Sequence, residues 1–555
     1  MNIQKFLLGH QKLITNNNQT KENKMNTFMK RTTIGSVMQG LCYGFAALLF
    51  AASCANDDTV QEGKQKENNI PAGATVFTGT SQSGTTTRTA ILNHAKGSGA
   101  SVNWSSSDKI WVKDDAGTWQ QSGAATIPSA ANQSFAKFTL SGTYTGTSHD
   151  ILYTNKAVTG SQAQVEIKAI QTQSAPNNFD HAGESGDCGI ATASRVGSGY
   201  NFTLNHKASY LCFIPRSSNP YVNRSKLIKI EIMCDDDIAG TYNMAADGTL
   251  TLASGGSKTI TVTTGSGFAI DNSTEDMSKN ATYAVVAPGT HTFRIRYWLR
   301  NTVDNPSGTI EGTVSKYITL NCTTGAIHDV TANLEPHDYD GDHYYMWDAK
   351  QQYWYGYEWT HHNPAWQPTL DNHSSTYYAS TNSDSRYYNE GGTSGRFDAT
   401  QSCLIAPNVN EIAWYVEKGE PHWDNDEFWT CMGHLYKGLM WFKKKSYMIS
   451  DGYSIEHAPD GTDLRMMPGS NKVNYINNTA ALHLPLISER DHFFSLAPLG
   501  FYVMGVFHLF GQDGFYWSSN TYGASSACGL YITRGSGVRV ISGTRNLGCR
   551  VQTFQ

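Results

Sequence analysis

The sequence predicts a mainly β protein: two β-sandwich domains followed by an α+β domain. Three observations predict it. Fifty-one Gly, 29 Tyr and 13 Trp against only 16% charged residues suit twisted sheets and loops better than helical bundles. Short stretches of alternating apolar and polar residues, separated by Gly and Ser turns, recur through residues 72–335. The last forty residues place Leu530, Val538 and Val540 at period-two spacing with small or polar residues between them, while Trp517 and Tyr531 are large enough to anchor strands to a core.

Met25 to Ser53 reads as a signal peptide, with Lys30 and Arg31 as the basic region and an apolar run ending near Phe50. That run is shorter than the roughly 20 residues a membrane-spanning helix needs. Residues 1–24 are polar, so the true start is expected at Met25 or Met29. Ala51-Ala52-Ser53 before Cys54 resembles a lipobox with Ala51 where Leu is commoner, and Ala55-Asn56-Asp57-Asp58 resembles the acidic export tag of Bacteroidetes surface lipoproteins. The resemblance implies that Cys54 carries lipid and tethers the chain to the outer membrane. Residues 54–71 read as the polar tether.

From residue 72 the pattern is β. Ala74–Thr78, Thr87-Arg88-Thr89, Val102–Val112, Phe138–Leu140, Asp150–Tyr153 and Ala163–Ile167 are expected strands of a first sandwich over 72–206. Leu227–Ile232, Tyr283–Val286, Phe293–Tyr297 and Val330–Leu334 are expected in a second over 207–335. Thr-Arg-Thr, then Val-x-Trp-x-x-x-Asp-Lys-Ile-x-Val (Val102 to Val112), then Tyr283–Gly289 and the closing Val330–Leu334 resemble fimbrillin-like proteins, the subunits of Bacteroidales type V pili. The resemblance implies pilus subunits as partners by strand complementation, a form of β-augmentation. A protease cut at Arg88 would open the groove, although a strand arginine with no such role is the simpler reading. A pair of spacer sandwiches that only lifts the C-terminal domain away from the membrane is the plainer account of this half.

Residues 336–555 differ in composition. Glu335 to His343 reads as an acidic, solvated hinge. Asp338, Asp340 and Asp342 alternate, but an EF-hand loop needs Gly sixth and Glu twelfth, and here Gly is fourth. Nine of the 13 tryptophans then lie from Trp347 to Trp517, expected mainly as core, with sugar stacking as the other use of such rings. Asn408–Tyr415 has helical spacing. Gly419-Glu420-Pro421 and Trp423–Asp426 have the wrong order for the sugar and calcium motifs of animal C-type lectins.

Tyr516-Trp517-Ser518-Ser519, Leu530-Tyr531, Val538-x-Val540 and Arg545-x-x-Gly548-x-Arg550-Val551, with the Trp423–Trp429 and Gly433–Lys445 blocks, resemble C-type-lectin-like domains of Fibrobacter-paralogue and formylglycine-generating-enzyme-like type. Some members are variable proteins of diversity-generating retroelements, in which adenine mutation of Asn codons never yields Lys, Glu, Gln, Met or Trp. Residues 518–551 contain none of those five, as would any exposed surface of small polar residues. The resemblance implies a variable segment over about 519–549. Its ligand-binding face would comprise Asn520, Gly523, Ser525, Ser526, Cys528, Gly529, Arg534, Ser536, Arg539, Ser542, Thr544, Asn546, Leu547 and Cys549.

The formal charge of −5 argues against nucleic acid as a partner. Cys188, Cys212, Cys234, Cys322, Cys403, Cys431, Cys528 and Cys549 show no CxxC spacing, so neither a zinc site nor any other metal or cofactor is expected. An oxidising surface permits disulfides without assigning pairs. Four arginines near the end (Arg534, Arg539, Arg545 and Arg550) hint at acidic ligands, although Arg545 and Arg550 read as frame residues. The expected function is that of a surface lipoprotein adhesin, a pilus tip or accessory subunit, binding an unknown glycan or protein. The alternatives are a carbohydrate-binding lipoprotein without a pilus and, further off, an enzyme using Cys528 and Cys549 as its cysteine pair.

Overall fold

Alternating strands dominate. A computed structural model describes residues 73–80, 90–92, 94–97, 101–129, 133–392, 395–467 and 475–555. Cys54, the signal and tether segments, and the expected Thr87–Thr89 strand with Arg88 lie outside the described residues. Within the described residues the protein is mainly β, as expected. Thr75–Thr80 sits inside an eight-stranded sheet, parallel to Gly199–Thr203 and antiparallel to Ala136–Leu140, with Phe77 opposite both Tyr200 and Phe138. Its apolar face buries Phe77, Trp104, Phe138, Tyr200 and Phe202 together. Phe77 stacks on Tyr200 at 4.8 Å, and Trp104 meets Phe138 edge-on at 5.0 Å.

The strand Ala163–Ile167 forms as the alternation predicts, but it pairs with Ala239–Met244, and Ile170–Thr172 pairs with Thr259–Ala269. Val165, Ile167 and Phe179 join the core built by Phe213, Ile230, Ile232 and Ile295. The material expected to end the first sandwich therefore packs into the second. Period-two alternation marks a strand but carries no information about its partner. A three-stranded sheet of Thr282–Val286, Ser209–Arg216 and Ile327–Asn333 packs into the same core.

A nine-stranded sheet runs past residue 335. Gly289–Asn301 pairs with Ile310–Cys322, which meets His422–Cys431 through the parallel bridge Thr313–Glu427, and His434–Lys443 and Phe493–Leu496 follow. The expected hinge is corrected too. His337–Tyr339 is a strand lying parallel to Trp429–Cys431, with Tyr339 edge-on to Trp429 at 5.8 Å. A Cβ on Gly341 would come within 2.7 Å of Met432, so this stretch is packed against its neighbours. The charged side chains Glu335, His337, Asp338, Asp340, Asp342 and His343 do face solvent, but the backbone pairs as a strand and Tyr339 packs inward.

The expected helix is Val409–Glu417. Asn408 accepts from the Glu411 backbone N–H at 3.0 Å, and the Glu411 carboxylate accepts from that of Asn408 at 2.8 Å, a reciprocal cap. Its buried face (Ile412, Ala413, Tyr415 and Val416) packs on Leu530, Ile532, Val538 and Val540 of a meander formed by Asp513–Thr521, Ser526–Thr533 and Gly537–Thr544. Trp347, Trp354, Trp414, Trp423, Trp429 and Trp517 are buried, so core is the role of most tryptophans in this region.

Candidate functional site

The meander sorts the residues expected on one variable face into three groups. Gly523, Ser525, Arg534 and Ser536 are exposed, and Ser526, Arg539, Thr544 and Asn546 are half-buried. Asn520, Cys528, Gly529, Ser542, Leu547 and Cys549 are buried, which corrects the expectation for those six. Cys528 belongs to the core beneath the helix. Asn520 accepts from the Val409 backbone N–H at 2.9 Å and donates to Asp398 at 2.6 Å, so it fastens the helix start. A Cβ on Gly529 would stand 2.3 Å from the Tyr516 carbonyl and 2.4 Å from the Phe515 ring, which leaves no room for a side chain. Small residues are used here for close approach as well as for exposure.

The exposed remainder lies at opposite ends of the meander. At one end the Tyr522–Ser525 turn sits beside Thr544–Leu547. Arg545 locks it: fully buried, it donates to the carbonyls of Gly391 at 2.6 Å, Gly523 at 2.7 Å and Asn389 at 3.0 Å, and its guanidinium lies over the Trp347 ring at 4.9 Å. Burial lowers its pKa below the usual arginine value. Asp348, which carries no motif in the sequence, is also fully buried and accepts from the backbone N–H groups of Thr400 at 2.8 Å and Gln401 at 2.7 Å, ordering the loop next to Arg545. Arg550 is buried as well and donates to the Asp340 carbonyl at 3.0 Å and its carboxylate at 3.2 Å. The basic character inferred from four arginines therefore shrinks to Arg534 and the half-buried Arg539.

At the other end, Gly535 of the hairpin Arg534-Gly535-Ser536 lines a cavity of about 510 Å³. Met233, Arg294 and Arg296 line it from the second sandwich, Trp423 to Asp426 from the strand His422–Cys431, and Leu482 to Leu484 from a loop. The register of His422–Cys431 shifts between Asp424 and Phe428, and this bulge turns its acidic run toward the neighbouring strand. Gly438 holds φ of +105°, and a Cβ there would collide with the Trp423 ring at 2.6 Å, so glycine lets that ring settle.

The charges in this seam are paired. Arg296 donates to Asp424 at 2.8 Å and to Thr313 at 3.0 Å, and lies 3.8 Å from Asp426. Burial works against its charge, but Asp424 and the other surrounding carboxylates more than offset that and hold its pKa above the ordinary value. Thr313 and Ser315 donate to Glu427 at 2.8 Å and 2.6 Å, while Lys437 approaches Asp426 at 3.3 Å. Arg294 donates to the Pro485 carbonyl at 2.7 Å. Arg296 Nε is a buried donor with no acceptor among the described residues. From the hairpin, Arg534 donates to Asn425 at 3.4 Å. Such a wall suits a polar, hydroxyl-bearing ligand, and the volume lies within the range of small-ligand sites, about 300–1,000 Å³. Sequence reasoning noticed Trp423–Asp426 but not Arg294 and Arg296, whose only signal was two charges flanking Ile295 in an apolar strand.

The eight described cysteines, Cys188 through Cys549, are all buried. Burial pushes the Cys549 thiol well above its usual pKa.

No protein-family model matches the chain. No curated protein matches it. Among solved structures it is similar to a protein assigned to cell adhesion from Bacteroides ovatus, at 11% identity and a TM-score of 0.29, covering 47% of this chain and 92% of that one. It is also similar to a fimbrial protein from Bacteroides ovatus (12% identity, TM-score 0.23, 49% and 52% covered). A third is the fimbrial anchor protein Mfa2 from Porphyromonas gingivalis (11% identity, TM-score 0.22, 47% and 90% covered).

Proposed function

We propose that this chain is a surface adhesin whose ligand enters the seam cavity under the Arg534–Ser536 hairpin. One observation carries the reading. The cavity joins a ring wall (Trp423) and a paired Arg296–Asp424 wall, with Gly535 of the Arg534–Ser536 hairpin at its edge. Paired charges favour a neutral, hydroxyl-rich glycan segment over the acidic ligand that the arginine count suggested, because a net anion would have to compete with Asp424 and Asp426. The lectin-like motifs in residues 336–555 support recognition as the mechanism. The fimbrillin-like motifs support pilus subunits as partners, and Cys54 supports an outer-membrane anchor.

The test is a glycan array probed with the full chain, followed by the variant Leu482→Asp. Leu482 is 73% exposed on the cavity wall, so its replacement leaves folding nearly untouched. Loss of most glycan binding with an unchanged melting temperature supports the reading. Full binding by this variant overturns the cavity as the site. Sequencing the locus across isolates tests diversification: differences should gather at Gly523, Ser525, Ser526, Arg534, Ser536, Arg539, Thr544 and Asn546 and spare the six buried positions. A locus as constant there as elsewhere removes that part of the proposal and favours a fixed-specificity carbohydrate-binding lipoprotein.

A further inference from the structure

The three-stranded sheet aligns three polar side chains. Cys212 stands opposite Tyr283 in the antiparallel neighbour and opposite Asp329 in the parallel one. Residues directly opposite one another in paired strands project to the same face. His94 closes over this row, 5% exposed, and Gly97 from the same short segment donates its backbone N–H to Asp329 Oδ2 at 2.8 Å.

The hydrogen bonds fix the imidazole tautomer. Tyr283 donates its hydroxyl proton to Asn177 at 2.5 Å, so its oxygen is an acceptor toward His94 Nδ1 at 3.2 Å. Nδ1 therefore carries the proton and Nε2 presents a lone pair. That lone pair faces Asp329 Oδ1 at 3.5 Å, and Oδ1 is buried with no hydrogen-bond partner among the described residues. Two facing lone pairs repel unless a positive charge lies between them. Cys212 Sγ lies within 4.8 Å of both atoms. In a tetrahedral zinc site, nitrogen and oxygen ligands about 2.0–2.1 Å from the metal stand about 3.3 Å apart, close to the separation here.

We propose that His94 Nε2, Cys212 Sγ and Asp329 Oδ1 hold a zinc ion, with solvent as the fourth ligand, and that the ion pins the 94–97 segment to the sheet. Binding releases the Cys212 thiol proton to solvent and leaves His94 neutral, with its Nδ1–H oriented by Tyr283. The expectation against zinc rested on CxxC spacing, whereas these ligands come from three distant stretches that only the fold brings together.

The test is cobalt titration of the reduced, chelator-treated full chain, with zinc competition. The expected result is one equivalent of metal and a thiolate-to-cobalt charge-transfer band. The band should vanish in Cys212→Ser, affinity should drop about tenfold or more in His94→Gln, and both should persist in Cys234→Ser, which alters the separate Cys234–Asp236–His291 group. Absence of the band in the unaltered chain overturns the proposal, as does a band that survives Cys212→Ser or disappears with Cys234→Ser. If Cys212→Ser fails to fold, the unaltered chain and His94→Gln still decide the question.

Discussion

The two ends of the C-terminal meander are written in the same small-residue alphabet but held in different ways. Beside Tyr522–Ser525, Arg545 directs its donors to the carbonyls of three separate loop residues and stacks on Trp347. At the Arg534–Ser536 end, the Arg534 side chain reaches the body through a long hydrogen bond to Asn425, 3.4 Å, above an open cavity. The lesson is that composition identifies which residues a surface can tolerate, while tolerance itself depends on what lies beneath them. At one end Arg545 pins the loop backbone while Gly523 and Ser525 keep their side-chain positions exposed; at the other the exposed Arg534 and Ser536 flank a turn beside the cavity.

Four variants test that contrast, in falling order of effect. Arg545→Leu should cost about 3–5 kcal/mol in denaturant unfolding, since several buried carbonyls lose a strong charged donor. Gly529→Ser should cost about 1–3 kcal/mol, because its Cβ meets the Tyr516 carbonyl and the Phe515 ring, even though serine belongs to the permitted alphabet. Asn520→Ala should cost about 1 kcal/mol through the lost acceptor for the Val409 N–H, with hydrogen exchange at the start of the helix rising first. Arg534→Ala with Ser536→Ala should stay within about 0.5 kcal/mol while changing ligand binding. A hairpin double variant as damaging as Arg545→Leu would break the comparison. A silent Gly529→Ser would show that the strand relaxes more than its packing indicates.

Much of the local structure was legible in the sequence. Thr75–Thr78, Ala163–Ile167 and Leu227–Ile232 alternate and are strands, and Asn408 with Glu411 marks a helix start that the structure caps. What pairs with what was not legible, because alternation is the same whichever sheet receives the strand. Ala163–Ile167 shows this, and so does His337–Tyr339, where an acidic flank hid a strand. Burial of Cys528, Gly529 and Cys549 was equally hidden, since a small residue fits a tight interior as readily as a loop. Arg545 and Arg550 were read as frame residues and are buried, but three of the carbonyls that receive Arg545 come from Asn389 to Gly392, a stretch with no motif of its own. The cavity could not have been drawn in advance: its walls come from residues 233–296, 423–426, 482–484 and 535, far apart along the chain.

The nine-stranded sheet that crosses residue 335 also has a mechanical meaning. Its two halves meet at one backbone bridge, Thr313–Glu427, reinforced by the Arg296–Asp424 pair. The strands share little ladder at that joint, and side contacts such as the Leu435 N–H to the Asp304 carbonyl at 3.1 Å hold the halves beside it. The cavity opens beside the same joint and takes walls from both halves. A ligand of the proposed cavity would touch both halves at once and act as a rivet between them.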